Sequence, residues 1–212
     1  MRRPLLSALI LAAALAAGGA AFAQTPAPAP DPAPATPELK ADRRPLRAPR
    51  TDRNARLDAL FEVLKRSPDA QIAKTVEQRI EAAMLQSGSD TADLLMIRAR
   101  AAIEAHETGL AIELLDAVIT FEPDFTEAWA RRASLHYLKK DLANSLADLR
   151  VVIAREPRHF GALTGLGVIF QDLGEDKRAL EAFRRALEVH PHLQGVPEFI
   201  KKLTDKVEGR DI

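Results

Sequence analysis

The chain has 212 residues, of which 47% are hydrophobic but only 5% aromatic, with 14 prolines, 30 basic side chains balancing 30 acidic ones, and no cysteine. The missing sulfur excludes disulfide scaffolding, thiolate metal sites, thiol catalysis and lipidation at an amino-terminal cysteine. Its length allows one domain or two small ones, and about 160 residues remain for folding once the first 50 are set aside.

Those first 50 residues read as two segments. Arg2 and Arg3 precede an uncharged run from Leu5 to Ala17, which is followed by Ala21-Phe22-Ala23 ahead of Gln24. A charged start, a short apolar stretch and an A-x-A site form a secretory leader, and the apolar run falls short of the roughly 20 residues of a bilayer span. Cleavage after Ala23 is predicted, giving a nearly neutral exported chain of periplasmic or secreted type. Residues 24–50 contain eight prolines, five of them (Pro26, Pro28, Pro30, Pro32 and Pro34) alternating with Ala or Asp. Each proline fixes φ, removes a donor and pushes the preceding residue out of the α region, so a polyproline-like spacer is expected.

A basic run follows. Lys40, Arg43, Arg44, Arg47, Arg50, Arg53 and Arg56 outnumber Asp42 and Asp52, giving 40–56 a net charge of +5 against −5 for 57–212. Such a run can meet anionic lipid, cell-wall polymer or an acidic protein face. It holds no aromatic side chain for base stacking, and export removes it from the genome, so no nucleic-acid partner is expected.

From residue 54 onward the pattern is helical. Leu57, Leu60, Phe61 and Leu64 share one face, Ser67-Pro68 breaks the helix, and Ile72, Val76, Ile80 and Met84 mark a second one. Gly88 reads as a terminator, and Asp90 with Asp93 as the next start. Thereafter a 34-residue period takes over, with Pro123, Pro157 and Pro191 in one column and Leu95, Trp129 and Leu163 in another. Small residues fill two columns (Ala99, Ala133, Gly167; Ala111, Ser145, Ala179). Larger apolar residues fill two more (Ile112, Leu146, Leu180; Leu115, Leu149, Phe183). Small columns let paired helices approach, and the prolines stop each second helix. At the carboxyl end, Pro197 can open a helix that turns Phe199, Ile200, Leu203 and Val207 inward and Lys201, Lys202 and Lys206 outward.

This frame resembles the tetratricopeptide repeat family. The units run 92–125, 126–159 and 160–193, about half of the chain. Leu163, Leu166-Gly167, Phe170, Leu173-Gly174, Ala179, Phe183, Ala186 and Pro191 of the last unit match the family pattern most fully. Arg132, His136 and Gly109 depart from it, which suggests looser packing or a bend at the middle unit. The resemblance implies an all-α fold, an α-solenoid of stacked antiparallel helix pairs with 51–91 as a degenerate amino-terminal pair and 194–212 as a capping helix.

Motifs for chemistry are missing: the sequence has no H-E-x-x-H, G-x-S-x-G or G-x-x-x-x-G-K-[ST]. Gly161, Gly165 and Gly167 read as close helix packing, and His190 and His192, flanking Pro191, as a surface turn. No enzyme, cofactor or metal is expected. The resemblance instead implies a concave groove for a protein or peptide ligand. By column it would display Asp93, Met96, Arg100, Ile103 and Glu104; Glu127, Ala130, Arg131, Ser134 and Tyr137; and Thr164, Val168, Gln171 and Asp172. The columns that clamp a terminal carboxylate in chaperone-binding relatives hold Met96, Arg100, Ala130 and Ser134, so that ligand is not expected. An extended peptide, a partner helix or the chain's own basic arm would each suit the groove.

Overall fold

A computed structural model describes residues 50–209, so the predicted leader, the Pro-rich spacer and basic residues 40–49 lie outside the described residues. Among the described residues the chain forms nine α-helices and no strand. They are α1 (Arg50–Lys65), α2 (Ala70–Met84), α3 (Asp90–Glu104), α4 (Thr108–Phe121), α5 (Thr126–Leu138), α6 (Leu142–Arg155), α7 (Phe160–Asp172), α8 (Asp176–Val189) and α9 (Val196–Val207). The chain is all-α, and the starts of α4, α6 and α8 keep the 34-residue period. Arg50, Arg53 and Arg56 of the basic run belong to α1, where Arg53 donates to the carbonyl of Gln86.

Each pair α3–α4, α5–α6 and α7–α8 closes through a tight turn whose left-handed residue falls in one column. His106, Lys140 and Gly174 take φ of 61°, 62° and 74°. Only the last unit has the glycine that this conformation favours. Caps are local: Asp69 accepts from the N–H groups of Gln71 and Ile72, Ser89 from Ala92, Asp141 from Asn144, and the His159 ring from Ala162. The start of α3 is therefore capped by Ser89, one residue ahead of Asp90.

The small columns do what their size suggests. Ala99, Ala111, Ala133, Ser145 and Ala179 are buried, and the Ser145 hydroxyl donates to the Ala133 carbonyl across α5–α6 at 2.8 Å. A Cβ on Gly167 would lie 2.5 Å from the ring of fully buried Phe183, so that glycine is needed for contact between α7 and α8. Arg132 replaces the family's leucine without leaving a defect. Its guanidinium grips buried Asp148 with two bonds of 2.7 and 2.8 Å, reaches Asp116 of the preceding unit at 2.6 Å and lies over Trp129. These carboxylates hold its pKa well above the usual arginine value despite burial.

The α1–α2 pair departs from the expected stacked cap. Instead of extending the stack ahead of α3, it lies along the edge formed by the turns between repeats. Leu57 and Met84 border Asp124 to Glu127; Asp58 pairs with Arg158 at 2.8 Å; and Leu57, Phe61, Leu64, Val76 and Ile80 form a core with Phe160, Val189 and Leu193. Farther along, His192 Nε2 meets the Ser67 carbonyl at 2.9 Å and His190 faces Glu77 at 3.6 Å. The physical cause is local. The α2–α3 connection, Leu85 to Ser89, lacks the repeat proline, turns through Gly88 at φ 91° and is pinned by Ser87, which donates to Asp93. Phe160 and Leu193 on the repeat turns offer the apolar target. His190, expected on a surface turn, is thereby buried against the Phe160 ring edge. At the other end α9 caps the stack, with Val196 and Leu203 buried and Phe199 stacked on Phe183.

Candidate protein-binding groove

Helices α5 and α7, the first helices of units two and three, lie side by side and enclose an open cavity of about 500 Å3. Its floor is apolar because the columns facing it are small or aliphatic: Ala130, Ala133, Leu149, Ala162, Val168 and Ile169. Gly161 and Gly165 also line it, and Leu149 and the His159 ring occupy the space nearest their absent side chains. Of the three glycines read as close packing, Gly167 serves that role and the other two shape the cavity.

The two ends are polar. At the amino-terminal end of both helices, Glu127 pairs with Arg131 at 3.0 Å and lies 3.5 Å from His159 Nε2. His159 caps α7 through Nδ1, which as an acceptor leaves the ring proton on Nε2, facing Glu127. Glu81 of α2 borders this cluster. Its carboxyl is raised above the usual range, first by desolvation and then by Glu77 and Glu127, against the opposing pull of Arg131 and His159. At the other end the Tyr137 hydroxyl donates to Asp172 at 2.8 Å, bridging α5 and α7, and this bond raises the phenol pKa.

Of the residues assigned to the groove by column, Glu127, Ala130, Arg131, Ser134, Tyr137, Thr164 and Val168 come together around this cavity. Gln171 and Asp172 sit beyond the lining, in the last turn of α7. The unit-one positions are placed elsewhere. Met96 is buried and Ile103 half-buried in the core shared with α5, Asp93 holds the α2–α3 turn, and Arg100 pairs with Glu104 at 2.9 Å in solvent. Column position alone overlooked His159, Leu138 and Leu149. The N-cap position of His159 ahead of a repeat helix was the signal that could have found it.

The serine and threonine hydroxyls of the lining donate to backbone carbonyls: Ser134 to Ala130 at 3.1 Å, Thr164 to Phe160 at 2.9 Å, and Ser145 to Ala133. No activated nucleophile arises from them. The arrangement is an apolar trough with charged and aromatic ends, suited to holding a side chain and the backbone beside it.

No family model matches the chain. A TPR repeat-containing protein of Rhizobium etli is 38% identical over 154 residues, covering 73% of this chain and 76% of that protein. Among solved structures, the first TPR domain of Spaghetti bound to an HSP90 peptide superposes with a TM-score of 0.54 at 18% identity, over 57% of this chain and 95% of that one. MamA does so with a TM-score of 0.51 at 15% identity, over 73% and 82%. These structural likenesses carry the fold. Tetratricopeptide repeats generally mediate protein–protein interaction, and their homologues are typically non-enzymatic scaffolds. With the 34-residue frame, the stacked helix pairs and the Rhizobium relative in agreement, the chain belongs to the tetratricopeptide repeat family.

Proposed function

We propose that the chain is an exported, non-catalytic adaptor that binds a protein or peptide partner in the trough between α5 and α7. The observation that carries this reading is the apolar floor bounded by Arg131, Glu127 and His159 at one end and Tyr137 at the other. Such a trough takes an apolar side chain, while the polar ends meet the neighbouring peptide groups. Committed hydroxyls at Ser134, Thr164 and Ser145 support a binding role over a catalytic one. The leader sequence Met1 to Ala23 supports export.

Affinity capture with chemical crosslinking from an envelope extract, using the chain from Gln24, tests the groove. A partner retained by the unaltered chain, crosslinked near α5 and α7 and lost on Val168→Arg with helical content intact, is the expected result. A partner retained equally by Val168→Arg contradicts the groove assignment. Amino-terminal sequencing of the chain from the envelope fraction should begin at Gln24, and an intact leader on a cytosolic chain contradicts export.

A further inference from the structure

The two ends of the trough differ in charge. At the Tyr137 end the charges balance: the phenol donates to Asp172, and Lys140 lies 5.3 Å from the centre of the Tyr137 ring. At the other end α2 brings Glu77 and Glu81, four residues apart and so on one helical face, beside Glu127 and Arg131. Three carboxylates there meet one arginine, which Glu127 already engages at 3.0 Å. The arginines nearest this end serve other acids: Arg155 faces Asp124 at 3.6 Å, and Arg158 holds Asp58 and Glu156 at 2.8 and 2.9 Å. Glu81 is exposed and makes no hydrogen bond or ion pair among the described residues. Desolvation raises its carboxyl first, and Glu77 and Glu127 add more than Arg131 and His159 remove. A carboxylate left in such an acidic surplus gains from a cation brought beside it.

Resting on the trough as the binding site, we propose that its ligand is an extended peptide segment with an aliphatic or aromatic side chain in the trough and a Lys or Arg within two residues of it, held by Glu81 and Glu77. The apolar floor of Ala130, Ala133, Leu149, Val168 and Ile169 takes the anchor, and Leu138, 68% exposed at the lip, adds apolar surface that a bound side chain would cover. In an extended segment alternate side chains share a face, so the residue two places from the anchor reaches the same wall, at α2. An acidic residue at that place would meet Glu77 and Glu81 with like charge, and Arg131 is already engaged by Glu127, so the trough discriminates against acidic segments. The position of α1–α2 along the repeat turns thereby has a use: α2 supplies a charge preference that the repeat helices lack.

Panning a displayed library of random heptapeptides on the chain from Gln24, followed by fluorescence anisotropy of the enriched peptide, tests this preference. Enriched peptides should share an apolar anchor with Lys or Arg within two residues, and changing that basic residue to Glu should weaken binding about tenfold. Glu81→Lys, at an exposed position whose helix is checked by circular dichroism, should weaken the basic peptide about fivefold and restore the Glu-substituted one, a rescue that a merely structural role for Glu81 would not give. Enriched peptides without a basic residue, or binding indifferent to Glu81→Lys, overturn the charge preference while loss of binding on Val168→Arg keeps the groove. Binding that survives Val168→Arg, or no enrichment at all, overturns the groove and the preference together. A trough that crosslinks to residues 24–49 of its own chain also overturns the peptide partner and assigns the site to the arm.

Discussion

The interior of the repeat stack and the seam beneath α1–α2 are held by different chemistry. In the stack, contacts recur by column: small residues let the paired helices close, as Gly167 does against Phe183 and as Ala133 and Ser145 do against each other. The charged Arg132 enters there with its guanidinium held by Asp148 and Asp116. Along the seam, no period operates. An apolar centre of Phe61, Leu64, Ile80 and Phe160 is flanked by Asp58 with Arg158, Ser67 with His192 and Glu77 with His190. These partners lie about a hundred residues apart in sequence, so closing the seam costs chain entropy that neighbouring repeats never meet. The stack should therefore behave as the stable scaffold and α1–α2 as the unit that opens first.

Four substitutions or conditions break that contrast in turn. Phe183→Ala, at the centre of α7, α8 and α9, should cost the stack about 3–5 kcal/mol in a urea melt, the largest loss. Arg132→Leu should cost about 3 kcal/mol because it leaves Asp148 buried and uncompensated, while the double change of Arg132 and Asp148 to Leu should recover most of that loss. Mild acidification should act on the seam first, because the lowered Asp141 carboxylate that caps α6 in the stack protonates only at much lower pH. Burial pushes the His190 pKa below the ordinary 6.5, with His192 adding to the shift and Glu77 of α2 opposing it, while the ring edge contact of Phe160 is uncharged. A depressed histidine contributes stability that is present above 6.5 and lost as pH falls toward its folded value. Glu81, with a raised pKa, works in the opposite sense at lower pH. Hydrogen exchange of α2, corrected for intrinsic rate, should thus accelerate below pH 6.5 while α7 and α8 stay protected, and His190→Gln should flatten the response. The smallest effect is a gain: His106→Gly relieves a positive φ of 61° and should add about 0.5–1 kcal/mol in the same melt.

The same contrast decides what the sequence discloses. The 34-residue frame made α3 to α8 legible, because each column repeats its environment and small, aliphatic or proline residues mark it three times. Glu127, Arg131, Tyr137 and Val168 could be placed in a groove for the same reason. Met96 and Asp93 carry the same column numbers and have other tasks, one in the core against α5 and one in the α2–α3 turn, because nothing stacks ahead of unit one. The seam had no periodic signal. His190 and His192 flank a turn proline, and their burial follows only once α2 lies across that turn.

Photo-crosslinking in the producing cells, from a reactive residue placed at Val168 in the trough or at exposed Lys74 on α2, tests most directly whether the groove holds the partner. A protein adduct at Val168 that is absent at Lys74 and abolished by filling the floor with Ala130→Trp is the predicted result. Adducts at Lys74 with none at Val168 would place recognition on the α1–α2 strap and leave the repeats as scaffold.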